Sequence, residues 1–152
     1  MLLDFAAGTA AERAAARGVL EATLAEDALA VCPVVVAEIG PQFGTGGELD
    51  GFLADLGIRV DAFATSTLWE AGQKWSLYAR RRGRQAHRTT CGSGMTIRCP
   101  SCGAVMNWRQ HILSDFLIGA HAQLQGDGLI TREVGFYRTY FPELKLIVPA
   151  AQ

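Results

Sequence analysis

The stretch that most narrows the choice of fold is Ser114-Asp115-Phe116-Leu117-Ile118-Gly119-Ala120-His121-Ala122, answered shortly after by Thr131-Arg132-Glu133-Val134-Gly135-Phe136-Tyr137. In the first segment an acid follows a good N-cap, Ser114, and leads into an apolar helix. In the second, a short apolar run, Leu129-Ile130-Thr131, stops at another acid, Glu133. The pair reads as a helix N-terminus and a strand C-terminus, each presenting a carboxylate. In open parallel α/β sheets those two kinds of end meet at the crevice where ligands bind.

The remaining pattern is compatible with that architecture. Thr9-Ala10-Ala11-Glu12 is a capping box ahead of an alanine-rich helix running to about Asp27. Leu29 to Cys32 reads as a short buried strand, with Cys32 a plain buried residue, and Pro33 suits the first turn of the next helix. That helix sets Val34, Val35, Val36, Ala37 and Ile39 around one acid, Glu38, which is costly in so apolar a setting unless paired or bound to a cation. Leu49, Phe52, Leu53 and Leu56 have helical spacing closed by Gly57, and Ile58 to Phe63 alternates as a strand. Thr67-Leu68-Trp69-Glu70 is expected to cap a helix with Leu68, Ala71, Trp75 and Tyr78 on its apolar side. Gly126-Asp127-Gly128 makes a turn, Gly135 to Phe141 a short aromatic helix or turn, and Leu144, Leu146, Ile147 and Val148 a last strand. His121 is expected to be a core or helix-face residue.

With 152 residues the chain is expected to form one domain, 1–152, able to bury a real core. No apolar run approaches the ~20 residues of a membrane-crossing helix, and the start lacks the basic and apolar segments of a signal peptide. Cytoplasm is the expected location. The net charge of −1 conceals a block from Ala71 to Ser114 that holds eight of the fourteen basic residues and no acid. Such a block suits a polyanion or an acidic partner segment, or is a solvated face.

Four cysteines in an intracellular chain point to metal or burial rather than disulfides. Cys99-Pro100-Ser101-Cys102-Gly103 has the form of a zinc-knuckle turn, whose amides point at the sulfurs while the glycine permits the bend. The basic insert at about 83–110 supplies three thiols, Cys91, Cys99 and Cys102. The fourth tetrahedral ligand is His87 or His111; otherwise Gly94 stands where a cysteine is lost and the ribbon is metal-free.

Asp115 to Ala122, then Leu129 to Glu133, then Gly135-Phe136-Tyr137-Arg138-Thr139-Tyr140-Phe141-Pro142, resemble in order the carboxy-terminal half of PIN domains, specifically the VapC-type toxin ribonucleases. The resemblance covers nearly the whole chain outside the insert. It implies a three-layer α/β/α fold with a central parallel sheet, and an acid cluster holding Mg²⁺ or Mn²⁺ to cleave RNA. It assigns the metal and the catalysis to Glu38, Asp115 and Glu133, with Thr131 as an outer hydroxyl; Arg132 and Arg138 are cations close enough in sequence to touch a phosphate. It also implies a cognate antitoxin and a homodimer, and no membrane partner.

Two departures stand out. Family members open with a strand ending in Asp-Thr-Asn or Asp-Ser-Ser, and this chain begins after it, so the first strand and the first acid are missing. Met1 stands where the family often has Val, so either the start is called late or the chain is truncated, with Asp4 a remote substitute. The family also has Asp where Glu133 stands. The rival expectation is therefore a catalytically impaired PIN module that binds RNA or a protein through its insert. A weaker third is a zinc-ribbon accessory protein.

Overall fold

The computed structural model describes residues 2–81, 86–87, 94–95, 97–106 and 112–149. Helices α1 (Leu2–Ala7) and α2 (Ala10–Glu26) open the chain and pack on each other. The capping box forms as expected: Thr9 Oγ1 accepts from the Glu12 N–H at 3.3 Å, and the Thr9 N–H donates to Glu12 Oε2 at 2.8 Å. Strand β1 (Leu29–Val31), helix α3 (Pro33–Ile39), a 3₁₀ turn (Gly40–Gln42), helix α4 (Gly46–Asp55) and strand β2 (Ile58–Val60) follow. Thr45 caps α4 by accepting from the Glu48 N–H, and Gly57 ends it with φ +61°, a left-handed value that favours glycine.

Helix α5 (Thr65–Arg81) leads to two small antiparallel hairpins, β3 (Ala86–His87) with β4 (Gly94–Met95), and β5 (Ile97–Arg98) with β6 (Val105–Met106). Helix α6 (Leu113–Gln125), strand β7 (Leu129–Ile130), helix α7 (Val134–Tyr140) and strand β8 (Leu146–Ile147) complete the described chain. The fold is mixed α/β. Strand β1 pairs in parallel with β2, Leu29 opposite Ile58, and β7 pairs in parallel with β8, Leu129 opposite Leu146. Instead of one central sheet, the parallel strands among the described residues form two separate pairs. Each has a helical crossover, as parallel pairing demands.

Two apolar clusters hold these units. One joins Leu2, Leu20, Leu29, Val31, Ile39, Leu53 and Ile58, and Ile130 of β7 packs against it, so the second strand pair touches the core of the first. The other is aromatic and centres on Phe116 of α6, fully buried among Trp75, Tyr78, Phe136 and Tyr140 at centroid distances of 5.0–5.6 Å. Gly119 lies one turn on, and a methyl there would overlap the Phe141 ring, 2.7 Å from its Cζ. The far end of α6 is tied down by Gln125. Its amide oxygen accepts from the Ala64 N–H at 3.1 Å and from Thr67 Oγ1 at 2.6 Å, and its nitrogen donates to the Ala62 carbonyl at 2.9 Å.

Several local expectations are revised. Thr67 does not cap α5; the helix starts two residues earlier, and Thr67 is wholly buried with its hydroxyl on Gln125. Leu68 is exposed, while Ala71 and Tyr78 are core. The strand expected over Ile58 to Phe63 pairs only through Val60, opposite the last residue of β1, with one further bond from the Asp61 N–H to the Val31 carbonyl at 2.9 Å. Ser114 is not the N-cap of α6. The cap is Ile112, and Ser114 Oγ is buried without a hydrogen-bond partner.

Candidate active site

Glu38, Asp115 and Glu133 come from three separated elements, and each is positioned by local chemistry. Glu38 sits in the last turn of α3. Val34, Val35 and Val36 are half-buried and Ile39 fully so, while Glu38 itself is exposed. The expected argument from burial therefore does not hold for Glu38: the valines turn to the core and the acid to solvent. Asp115 is half-buried in the first turn of α6, where the helix dipole favours negative charge. Its Oδ2 accepts from the Ile112 N–H at 3.0 Å, so this carboxylate caps the helix and is fixed in direction by doing so.

Glu133 directly follows β7 and precedes α7. Its φ −84° and ψ 70°, with the Val134 N–H bonded to the Arg132 carbonyl at 3.0 Å, make it the centre of an inverse γ-turn. Its own N–H donates to Thr131 Oγ1 at 3.0 Å, and the Thr131 N–H continues the ladder to the Ile147 carbonyl. The Thr131 hydroxyl thus orients Glu133 rather than standing apart as a separate group.

Tyr137 lies within electrostatic reach of all three acids. This residue is buried between the Phe136 and Phe141 rings, one helical turn beyond Glu133. Burial pushes its phenol above the ordinary tyrosine range, and the negative charges of Asp115, Glu38 and Glu133, together with Cys32, push it further. Tyr137 thus lies within electrostatic reach of side chains from α3, the head of α6 and the end of β7. The phenol stays protonated there and remains a hydrogen-bond donor. Tyr137 and Cys32 were not singled out from sequence as members of this site. The readable signal was the four-residue spacing from Glu133 to Tyr137, which puts both on one side of a helix.

Cys32 is buried at the N-cap of α3. Burial raises its thiol, the Val35 and Val34 amides lower it, and Glu38 raises it again. Among the described residues, no group of three or more His, Cys, Asp or Glu side chains is close enough to hold a metal ion. The acids thus share one field without sharing one ligand point. This does not conflict with the donor chemistry of Mg²⁺, which keeps several waters and commonly takes one or two carboxylates plus substrate phosphates.

The surrounding charges are engaged. Arg132 Nη1 lies 3.6 Å from both Asp4 Oδ1 and Glu12 Oε1, so this cation binds the first two helices to the end of β7. Asp4 accordingly faces Arg132. Arg138 is exposed on α7. His121 is buried as expected, edge-on to Phe63, with Nε2 3.9 Å from Asp61 Oδ2 and without a hydrogen-bond partner. Burial depresses its pKa, Asp61 opposes the shift and Arg59 adds to it.

Of the expected zinc ligands, Cys99 and Cys102 are described and have free thiols. His87 is described only as a backbone position paired with Gly94. Cys91 and His111 lie outside the described residues. Comparison with family models, curated proteins and solved structures finds no match. No helix among the described residues is long and apolar enough to cross a membrane.

Proposed function

We propose that the chain is a metal-dependent endoribonuclease of the PIN, VapC-like type, with its notch formed by Glu38, Asp115 and Glu133 around Tyr137. What supports this reading is the ordered resemblance of residues 115–122, 129–133 and 135–142, with Asp115 fixed on the Ile112 N–H at the head of α6 and Glu133 at the junction of β7 and α7. Facing carboxylates repel, and a hard divalent cation relieves that repulsion. An all-oxygen donor set suits Mg²⁺ or Mn²⁺.

In this reading Asp115, held by the Ile112 amide, would be the direct ligand, and Glu38 and Glu133 would hold the ion's waters rather than the ion itself. When bound, the ion supplies a more acidic water and polarises the phosphate. Tyr137 keeps its proton and donates to a carboxylate or a phosphate oxygen. Glu133 reaches one methylene further than the aspartate of the family pattern, which loosens the site. The three-layer sheet belongs to the same proposal: the pairs β1–β2 and β7–β8 would be its two halves, with a further parallel strand between them. RNA is the substrate, and a small antitoxin covering the notch and a homodimer are the partners the resemblance implies.

The test is cleavage of a mixed RNA substrate with Mg²⁺ or Mn²⁺. Cleavage should stop on chelation, and Asp115→Asn or Glu38→Gln should slow it by about 10²-fold or more. Cleavage that persists in both variants would reject the proposal. The second reading, RNA binding without cleavage, is favoured by one feature: Asp115 already serves as a helix cap. It predicts salt-dependent RNA retention with no product.

A further inference from the structure

We infer that the hairpin β5–β6 is one half of a structural zinc site, with Cys99 and Cys102 as two of its thiolate ligands. The inference stands apart from the nuclease reading. The turn between the strands is built around the Cys99 sulfur. The backbone N–H groups of Cys102 and Ser101, the Cys102 thiol and the Ser101 hydroxyl are all turned toward it. Two sulfurs on one tetrahedral zinc stand about 3.8 Å apart for Zn–S bonds of ~2.3 Å, a gap that two cysteines three positions apart in one tight turn can span.

The backbone closes the same turn from the other side. The Cys99 N–H donates to the Ala104 carbonyl, and the Gly103 N–H donates to the Cys99 carbonyl, each at 2.9 Å. Gly103 has φ +72°, which a residue with a Cβ adopts only with strain. Arg98 Nη1 adds a bond to the Gly103 carbonyl at 3.1 Å.

The hairpin also lacks a core of its own. Its paired strands are two residues long, and from Ile97 to Ala104 every residue is exposed or only half-buried. An isolated two-stranded hairpin is marginal in water, and a metal is one of the few devices that order so small a unit. Cys32, the other free thiol described, is buried at the opposite end of the sequence and serves α3. The two remaining ligands come from outside the hairpin, from this chain or from a second copy of it.

The experiment measures metal in the full chain purified under reducing conditions from zinc-supplied cells. The expected content is about one zinc per chain, lost in both Cys99→Ser and Cys102→Ser. The aromatic near-ultraviolet signal of the Phe116 cluster should persist in both variants. As a check independent of the variants' folding, the wild-type chain is also stripped with chelator and titrated with Co²⁺. Tetrahedral d–d bands and a thiolate-to-cobalt charge-transfer band are expected, both abolished by added Zn²⁺. Wild-type chain without zinc and without those bands, or full zinc content in both serine variants, would overturn the inference.

Discussion

Tyr137 joins the three acids, and its ring and hydroxyl do different work. Tyr137→Phe keeps the packing against Phe136 and Phe141 and removes only the donor. In a spectrophotometric titration the wild-type chain should show a phenol ionising well above the ordinary value of about 10, absent from Tyr137→Phe and moved down in Asp115→Asn. Because the folded phenol is raised, its contribution to stability is present below the unfolded value and falls as pH rises past about 10. His121 has the opposite sign. Its depressed pKa means that the unfolded chain takes up the proton first, so stability falls as pH drops below about 6.5. Melting curves from neutral to mildly acidic pH should show that loss in the wild type and a smaller one in His121→Gln. Glu133→Asp should tighten divalent-ion binding, since the shorter side chain restores the residue of the family pattern; unchanged binding would separate reach from charge at this position.

Among the elements, the caps and turns were the most legible. Thr9-x-x-Glu12, Pro33 and Gly57 each encode a backbone demand that neighbours seldom override, and α2, α3 and the end of α4 follow them. The head of α6 was misread because Ser114 is a better cap by type than Ile112. Asp115 outcompetes it: from three residues in, its carboxylate reaches the Ile112 N–H. Thr67 was misread for a related reason, since only the folded chain brings Gln125, 58 residues away, to its hydroxyl. Gln125→Ala should therefore cost more than an ordinary surface change. It leaves the buried Thr67 hydroxyl and two loop backbone groups unpaired, a loss of about 1–3 kcal/mol measurable by urea unfolding. Gly119→Ala should cost a similar ~1–3 kcal/mol, because the Phe141 ring has to move.

For the whole molecule, the order of helix and strand signals points to a mixed α/β chain and the resemblance implies parallel strands, and the structure has parallel pairs with helical crossovers. How those pairs relate was not legible, since strand order depends on contacts between distant segments that no local pattern records. The same holds for the acids: the resemblance nominates Glu38, Asp115 and Glu133, but only the fold brings Tyr137 within electrostatic reach of them. The central claim is that these three carboxylates bind one hard divalent ion, and Mn²⁺ binding followed by electron paramagnetic resonance tests it most directly. The account predicts a single site in the wild-type chain, weakened at least about tenfold in each of Glu38→Gln, Asp115→Asn and Glu133→Gln. Equal Mn²⁺ affinity in the wild type and all three variants would contradict it.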